Sequence, residues 1–213
     1  MHAADLIADI STALQDPDYV RWSAAELVGY VNDGQRFIVA KSPTASAREE
    51  ELTLVAGARQ GIPPGARLLL EVLRNVGGKQ AAVSQVARSM MDACLRLWAG
   101  QREAAEVIHF MADARTPRLF DVYPPVEAGV KVLALLCMEP QDTPTPVGGV
   151  VLGDVFLDDD YRNALRHYAL FRAFSKDSEG ESVPALAQAH LQLCMDALGI
   201  NVGHPATSDD PST

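Results

Sequence analysis

Cysteine is scarce in this 213-residue chain, and the three that occur, Cys94, Cys137 and Cys194, stand far apart and are odd in number. No disulfide framework closes from them and no CxxC metal pair exists, so they read as buried thiols of a reducing cytoplasm. Long apolar runs are missing as well. None approaches the roughly 18 residues of a membrane span, and the opening MHAADLIADIS breaks its apolar positions with Asp5 and Asp9, unlike a secretory signal. Positive charge is in deficit, with 18 Lys+Arg against 28 Asp+Glu and a formal net charge of −10. That balance argues against a chain that neutralises nucleic-acid phosphates over its whole surface. What is present is ordinary globular material, 48% hydrophobic and 22% charged, long enough for one domain or two and for a core that buries about 70% of the unfolded surface without staples.

Helical periodicity opens the chain. Leu6, Ile7, Ile10, Ala13 and Leu14 share a face until Asp16-Pro17-Asp18, which gives a helix over about residues 3–15. Ser23-Ala24-Ala25-Glu26 is a capping box, with the Ser hydroxyl expected to accept from the Glu26 amide and the Glu side chain to return to the Ser amide. Leu27, Tyr30, Val31, Gly34, Phe37 and Ile38 then line a second helix that ends at Ser42-Pro43. Trp22, just before the box, is placed to staple the chain against the first turns or to pack in the core.

From Glu50 the character changes to short β-type runs. ELTLVAG and ARLLLEVLRN flank the turn signal Gly61-Ile62-Pro63-Pro64-Gly65, and EVIHFMAD, RLFDVYPP and VKVLALLCME follow, each bounded by Pro, Gly or Asp. Between them Val83, Val86, Met90, Cys94 and Leu97 fit a helix over 83–98. After TPTPVGGVVLG the helical pattern returns. Asp158-Asp159-Asp160 puts negative charge at a helix N-terminus, and Tyr161, Leu165, Tyr168 and Phe171 share a face through Phe174. A last helix, about 183–198, carries Leu186, His190, Leu193 and Ala197 on one side and ends at Leu198-Gly199. The expected fold is α+β, with an N-terminal helical pair (1–43), an inserted, small antiparallel β-rich region (44–156), C-terminal helices that complete the bundle (157–200) and a polar, mobile tail (201–213).

The chain offers no motif for catalysis. Gly78-Lys79 lacks the remaining residues of a phosphate loop, since Leu73 and Gln80 stand where Gly and Ser/Thr are needed. Gly148-Gly149 with Gly153 misses the dinucleotide spacing. His109, His167 and His190 fall on three different expected elements with no metal-ligand spacing, and His190 reads as a hydrogen-bonded core or interface residue. Glu49-Glu50-Glu51 and Asp158-Asp159-Asp160 read as solvated charge rather than a catalytic acid pair, and Ser11, Ser42, Ser84 and Ser89 lack a nucleophile elbow. No catalytic, cofactor-binding or metal residue is therefore assigned, and no cofactor. Arg162, Arg166 and Arg172 are placed to pair with acidic neighbours or to form a solvated face.

The run from Arg21 to Arg36, RWSAAELVGYVNDGQR, followed by Lys41-Ser42-Pro43, resembles the opening of the head-to-tail adaptor proteins of tailed bacteriophages, also called connector or tail tubular A-like proteins. Gly61-Ile62-Pro63 before LLLEVLRNVGG, Asp92 to Trp98, Phe120-Asp121-Val122-Tyr123-Pro124-Pro125, and Leu157-Asp158-Asp159-Asp160-Tyr161 through ALRHYALFRAFSKDSE are similar to successive blocks of that family, over about residues 3–199. Ser42-Pro43 departs from the Arg-Pro of many relatives, so no anion contact is transferred there. The resemblance implies a virion structural protein of the neck, a homo-oligomeric ring, usually dodecameric, fixed beneath the portal protein. It also implies contact with a downstream tail or nozzle protein, passage of genomic DNA without sequence-specific binding, no membrane, and a C-terminal segment that reaches towards the portal. It brings no catalytic residues. A tail-completion or stopper ring one level lower, or a small α+β enzyme with a site scattered in sequence, are the competing functions.

Overall fold

The computed structural model describes residues 1–176 and 183–200. The chain divides into two compact units, one made of Met1–Ser42 with the residues from Pro140 onward, the other of Pro43–Glu139. Both divisions coincide with a proline, which disfavours helical backbone in the residue before it.

The first unit is helical. Helix α1 spans Ala3–Ala13 and buries Leu6, Ile7 and Ile10. Helix α2 spans Ala24–Lys41 and is capped by the Ser23 hydroxyl, which accepts from the Glu26 amide at 3.2 Å. Only half of the expected capping box forms. The Glu26 carboxylate turns instead to the Lys176 ammonium at 2.7 and 2.9 Å and to the Tyr30 hydroxyl at 2.6 Å. Asp158 precedes a single 3₁₀ turn, Asp159–Tyr161, so α4 starts at Arg162 rather than at 158 and runs to Lys176. Helix α5 covers Val183–Ala197 and packs on α4. Its buried side chains are Ala187 and Cys194, while Leu186 and Leu193, which define its apolar period in sequence, are exposed.

The second unit is built of two sheets. Strand β1 (Ala47–Thr53), β7 (Lys131–Met138) and β3 (Ala66–Asn75) form an antiparallel sheet in the order β1-β7-β3. Strands β2 (Gly57–Gly61), β6 (Leu119–Val126), β5 (His109–Ala112) and β4 (Ser84–Gln85) form the other in the order β2-β6-β5-β4. All pairings are antiparallel except the two-residue match of β4 with β5, which is parallel. The sheets share one core, in which Leu69, Val72, Val132, Ala134 and Leu136 meet Phe110, Phe120, Val122 and Val126. β7 buries residues on both faces, as its near-continuous apolar sequence requires of a central strand. β1 is its opposite, an edge strand whose Glu49, Glu50 and Glu51 are exposed, and charge of this kind discourages further edge pairing.

The expected helix at 83–98 is shorter and differently placed. Ser84 and Gln85 belong to β4, α3 covers only Arg88–Cys94, and a 3₁₀ turn follows at Trp98–Gly100. Of the residues that carried the helical spacing, Val83 is buried and Val86 packs on the core, both ahead of α3. Met90, Cys94 and Leu97 face solvent, whereas Met91 and Trp98 are buried against Ala58 and Met111.

Candidate functional site

The segment that carries the family resemblance, residues 21–36, has a definite physical task in the helical unit. Asn32 and Gln35, both buried, turn their amides towards the returning chain. Asn32 Nδ2 donates to the Thr143 carbonyl at 3.1 Å and its Oδ1 accepts from the Thr143 amide at 2.9 Å. Gln35 Oε1 accepts from the Phe156 amide at 2.8 Å and the Leu157 amide at 3.3 Å, and its Nε2 donates to Asn32 Oδ1 at 3.2 Å and the Gln141 carbonyl at 3.4 Å. Two side chains on one helix thus replace the backbone partners that residues 141–157 would otherwise lack. Between them Gly34 lets α4 approach, since a Cβ there would lie 3.0 Å from Tyr168 Cδ1 and 3.2 Å from Leu165 Cδ2.

Charged residues around this seam pair across helices. Asp33 accepts from Arg172 at 2.7 Å, Arg36 pairs with Asp142, and Arg162 pairs with Asp9 of α1. Arg172 and Arg162 therefore make the acidic contacts expected of them, whereas Arg166 lines a shallow concavity with Asp9, Thr12, Arg162 and Asn163. The Arg172 guanidinium also lies 5.3 Å from the centre of the Tyr30 ring. Burial and the Glu26 carboxylate push the Tyr30 hydroxyl up to about 12.

Trp22 is buried, and its role is bound to one residue that the pattern of sequence gives only as a helix stop. The Asp16 carboxylate accepts from the backbone amides of Val20, Arg21 and Trp22, each at 2.9 Å, and so closes the loop that links α1 to α2. These bonds, that of Trp22 foremost, hold the Asp16 carboxyl below its ordinary value.

In the β unit the buried carboxylate is Asp121, which meets Arg59 at 2.8 Å and Arg88 of α3. Arg88 lies over the Trp98 ring, and Trp98 Nε1 donates to Asp92 at 2.8 Å. These contacts fix the 88–98 segment from beneath and leave Met90 and Leu97 on its outer side. Asn75 plays the part that Asn32 plays in the helices, exchanging two bonds with Val107 at 2.8 Å.

Among the described residues no cluster of three or more His, Cys, Asp or Glu could hold a metal ion. His109 lies beside Tyr123 in the β unit, whereas His167 and His190 are brought together in the helical one. Gly77, Gly78 and Gln80 form a turn with positive φ between β3 and β4. A concavity of about 390 Å³ bordered by Leu68, Leu69, Gln85, Ala112 and Leu119 contains one acid, Asp113, held down at about 2 by the Arg115 fork.

What the structure does collect on its surface is uncharged apolar side chains. Val147 and Val150 exchange backbone bonds at 3.2 and 3.1 Å across Gly148-Gly149, a two-residue turn with both φ positive. This turn holds Val147, Val150 and Leu152 in solvent, at 74%, 57% and 57% exposure. Leu186 and Leu193 on α5 and Met90 and Leu97 around α3 are exposed in the same way.

The family model described as SU10 adaptor protein matches residues 1–211. The chain belongs to the SU10 adaptor protein family. As an SU10 adaptor, it is a bacteriophage structural protein of the adaptor class, and the residues 21–36 that resemble head-to-tail adaptors are those that tie α2 to the returning chain and to α4. No curated protein matches this SU10 adaptor. No described helix is long and apolar enough to cross a membrane.

Proposed function

We propose that this chain is the head-to-tail adaptor of a tailed phage. It forms a homo-oligomeric ring, a dodecamer, beneath the portal, joins the portal to the next tail or nozzle protein, and continues the channel through which genomic DNA passes. The observation that carries this reading is the family match over residues 1–211. The surface supports it in physical terms. A closed ring needs two different complementary patches on each subunit, and exposed apolar groups occur on both compact units, at Val147, Val150 and Leu193 in one and at Met90 and Leu97 in the other. A net charge of −10 suits a channel that lets DNA slide without adhering.

The test is to mix the purified chain with rings of its phage portal and to measure mass and composition. A portal-bound assembly with many copies of the chain supports the proposal, and a chain that stays monomeric and unbound at saturating portal contradicts it. Residues 201–213 lie outside the described residues. We assign them a contact with the portal, so a chain ending at Gly199 should fold normally and need a higher concentration to saturate portal rings. Equal saturation would remove that role.

A further inference from the structure

His167 on α4 and His190 on α5 meet through the same ring atom. Their Nδ1 atoms are 3.0 Å apart, and the rings meet through these edges with centroids 5.2 Å apart and planes inclined by 27°. The Phe174 ring lies 5.4 Å from that of His190 and nearly parallel to it. Among the described residues the Nδ1 contact is the side-chain hydrogen bond that joins α5 to the rest of its unit, where Ala187 and Cys194 are buried and Leu191 and Met195 half-buried.

A contact between two Nδ1 atoms is a hydrogen bond only while one of them lacks a proton. One proton shared between the rings satisfies it. A second protonation makes both atoms donors and places two positive charges against each other. The nearby formal charge that acts on both rings is also positive, that of Arg166. Of the carboxylates on the elements packed on α4, Asp9 pairs with Arg162, Asp33 with Arg172 and Glu26 with Lys176, while Asp5 of α1 and Asp159 of the 3₁₀ turn act on Arg162. On α5 itself the described acid is Asp196, which accepts from Gln192.

We propose that the His167–His190 pair is a proton-operated latch that holds α5 on α4 when at least one imidazole is neutral and releases it when both are charged. Partial burial and the positive neighbours hold both rings below the ordinary histidine value of 6.5. The sign follows from proton counting. The released helix takes up a second proton with ordinary affinity and the latched pair excludes it, so the latch is strongest above 6.5 and weakens as pH falls below it. The ratio of released to latched α5 rises by about tenfold per pH unit for each proton taken up on release. Two rings acting on one contact titrate as a coupled pair.

Hydrogen exchange of the full chain, corrected for intrinsic rates, tests this at pH 7.5 and 5.5. Amide protection in 183–197 should fall at least tenfold more than protection in 24–41, and the double variant His167→Asn with His190→Asn should lose that difference. Unchanged protection of α5 at pH 5.5, or the same fall in the double variant, overturns the latch. Should the double variant fail to fold, the imidazole resonances of the unaltered chain decide. Two coupled steps, the later below 6.5 and coincident with loss of α5 protection, support the latch. Independent titration near 6.5 with α5 still protected overturns it.

Discussion

At the scale of single residues, the most consequential side chains are amides and one carboxylate that serve backbone rather than substrate. Gln35→Ala would remove the side-chain acceptor of the buried Leu157 amide, which it shares with that of Phe156, and a cost of about 1–3 kcal/mol is expected for a buried donor that loses its acceptor. Denaturant unfolding measures it directly. Trp22→Ala should cost about 3–5 kcal/mol, the usual loss for a buried tryptophan; an unchanged unfolding midpoint with selective loss of assembly would instead make Trp22 an interface residue. Asp16→Ala should lower the midpoint through the same loop. The Asp16 contribution also has a defined pH dependence. Its carboxyl is held low in the folded chain, so that stability is present above the ordinary value of about 3.8 and is lost as pH falls through the lowered one. The sequence did not disclose these roles, because an Asp after a helix and an Asn or Gln within one look the same whether they face water or a returning chain 100 residues away.

At the scale of elements, the reading from periodicity succeeds where burial and helix or strand period agree. α2 begins at its Ser23 cap and stops before Pro43, and β3 occupies ARLLLEVLRN over its whole length. It fails in two places for one reason. In 83–98 and in α5 the apolar residues that set the period, Met90 and Leu97, Leu186 and Leu193, point to solvent, while Met91, Trp98, Ala187 and Cys194 are the ones buried. A sequence pattern cannot distinguish an apolar residue kept for its own core from one kept for a neighbouring chain. If the ring proposed above uses these side chains, their substitution separates folding from assembly. Leu97→Gln and Leu193→Gln should each move the unfolding midpoint by no more than about 0.5 kcal/mol, the usual range for surface changes, yet reduce the fraction of chain in the assembled ring seen by sedimentation. Gly34→Ala should do the converse. The new methyl would press on Tyr168 and Leu165 and cost about 1–3 kcal/mol by overpacking, although alanine is the better helix former by about 1 kcal/mol.

At the scale of the whole molecule, a helical unit made from both ends of the chain encloses in sequence a two-sheet unit, 43–139, that has its own core. The β-rich region expected from the sequence, 44–156, runs past that unit, since the residues from Pro140 onward belong to the helical one. The family match over 1–211 supplies the class of protein. Functional surface was the part least readable beforehand, because a contact surface has no spacing rule comparable to that of a helix cap or a metal site. The account's central claim, that this adaptor sits as a ring between portal and tail, is tested most directly by electron microscopy of the virion neck with this protein located by a specific label. The account requires label in a closed ring of twelve subunits directly beneath the portal. Label confined to another part of the particle, or a neck whose ring under the portal is a different polypeptide, would contradict it.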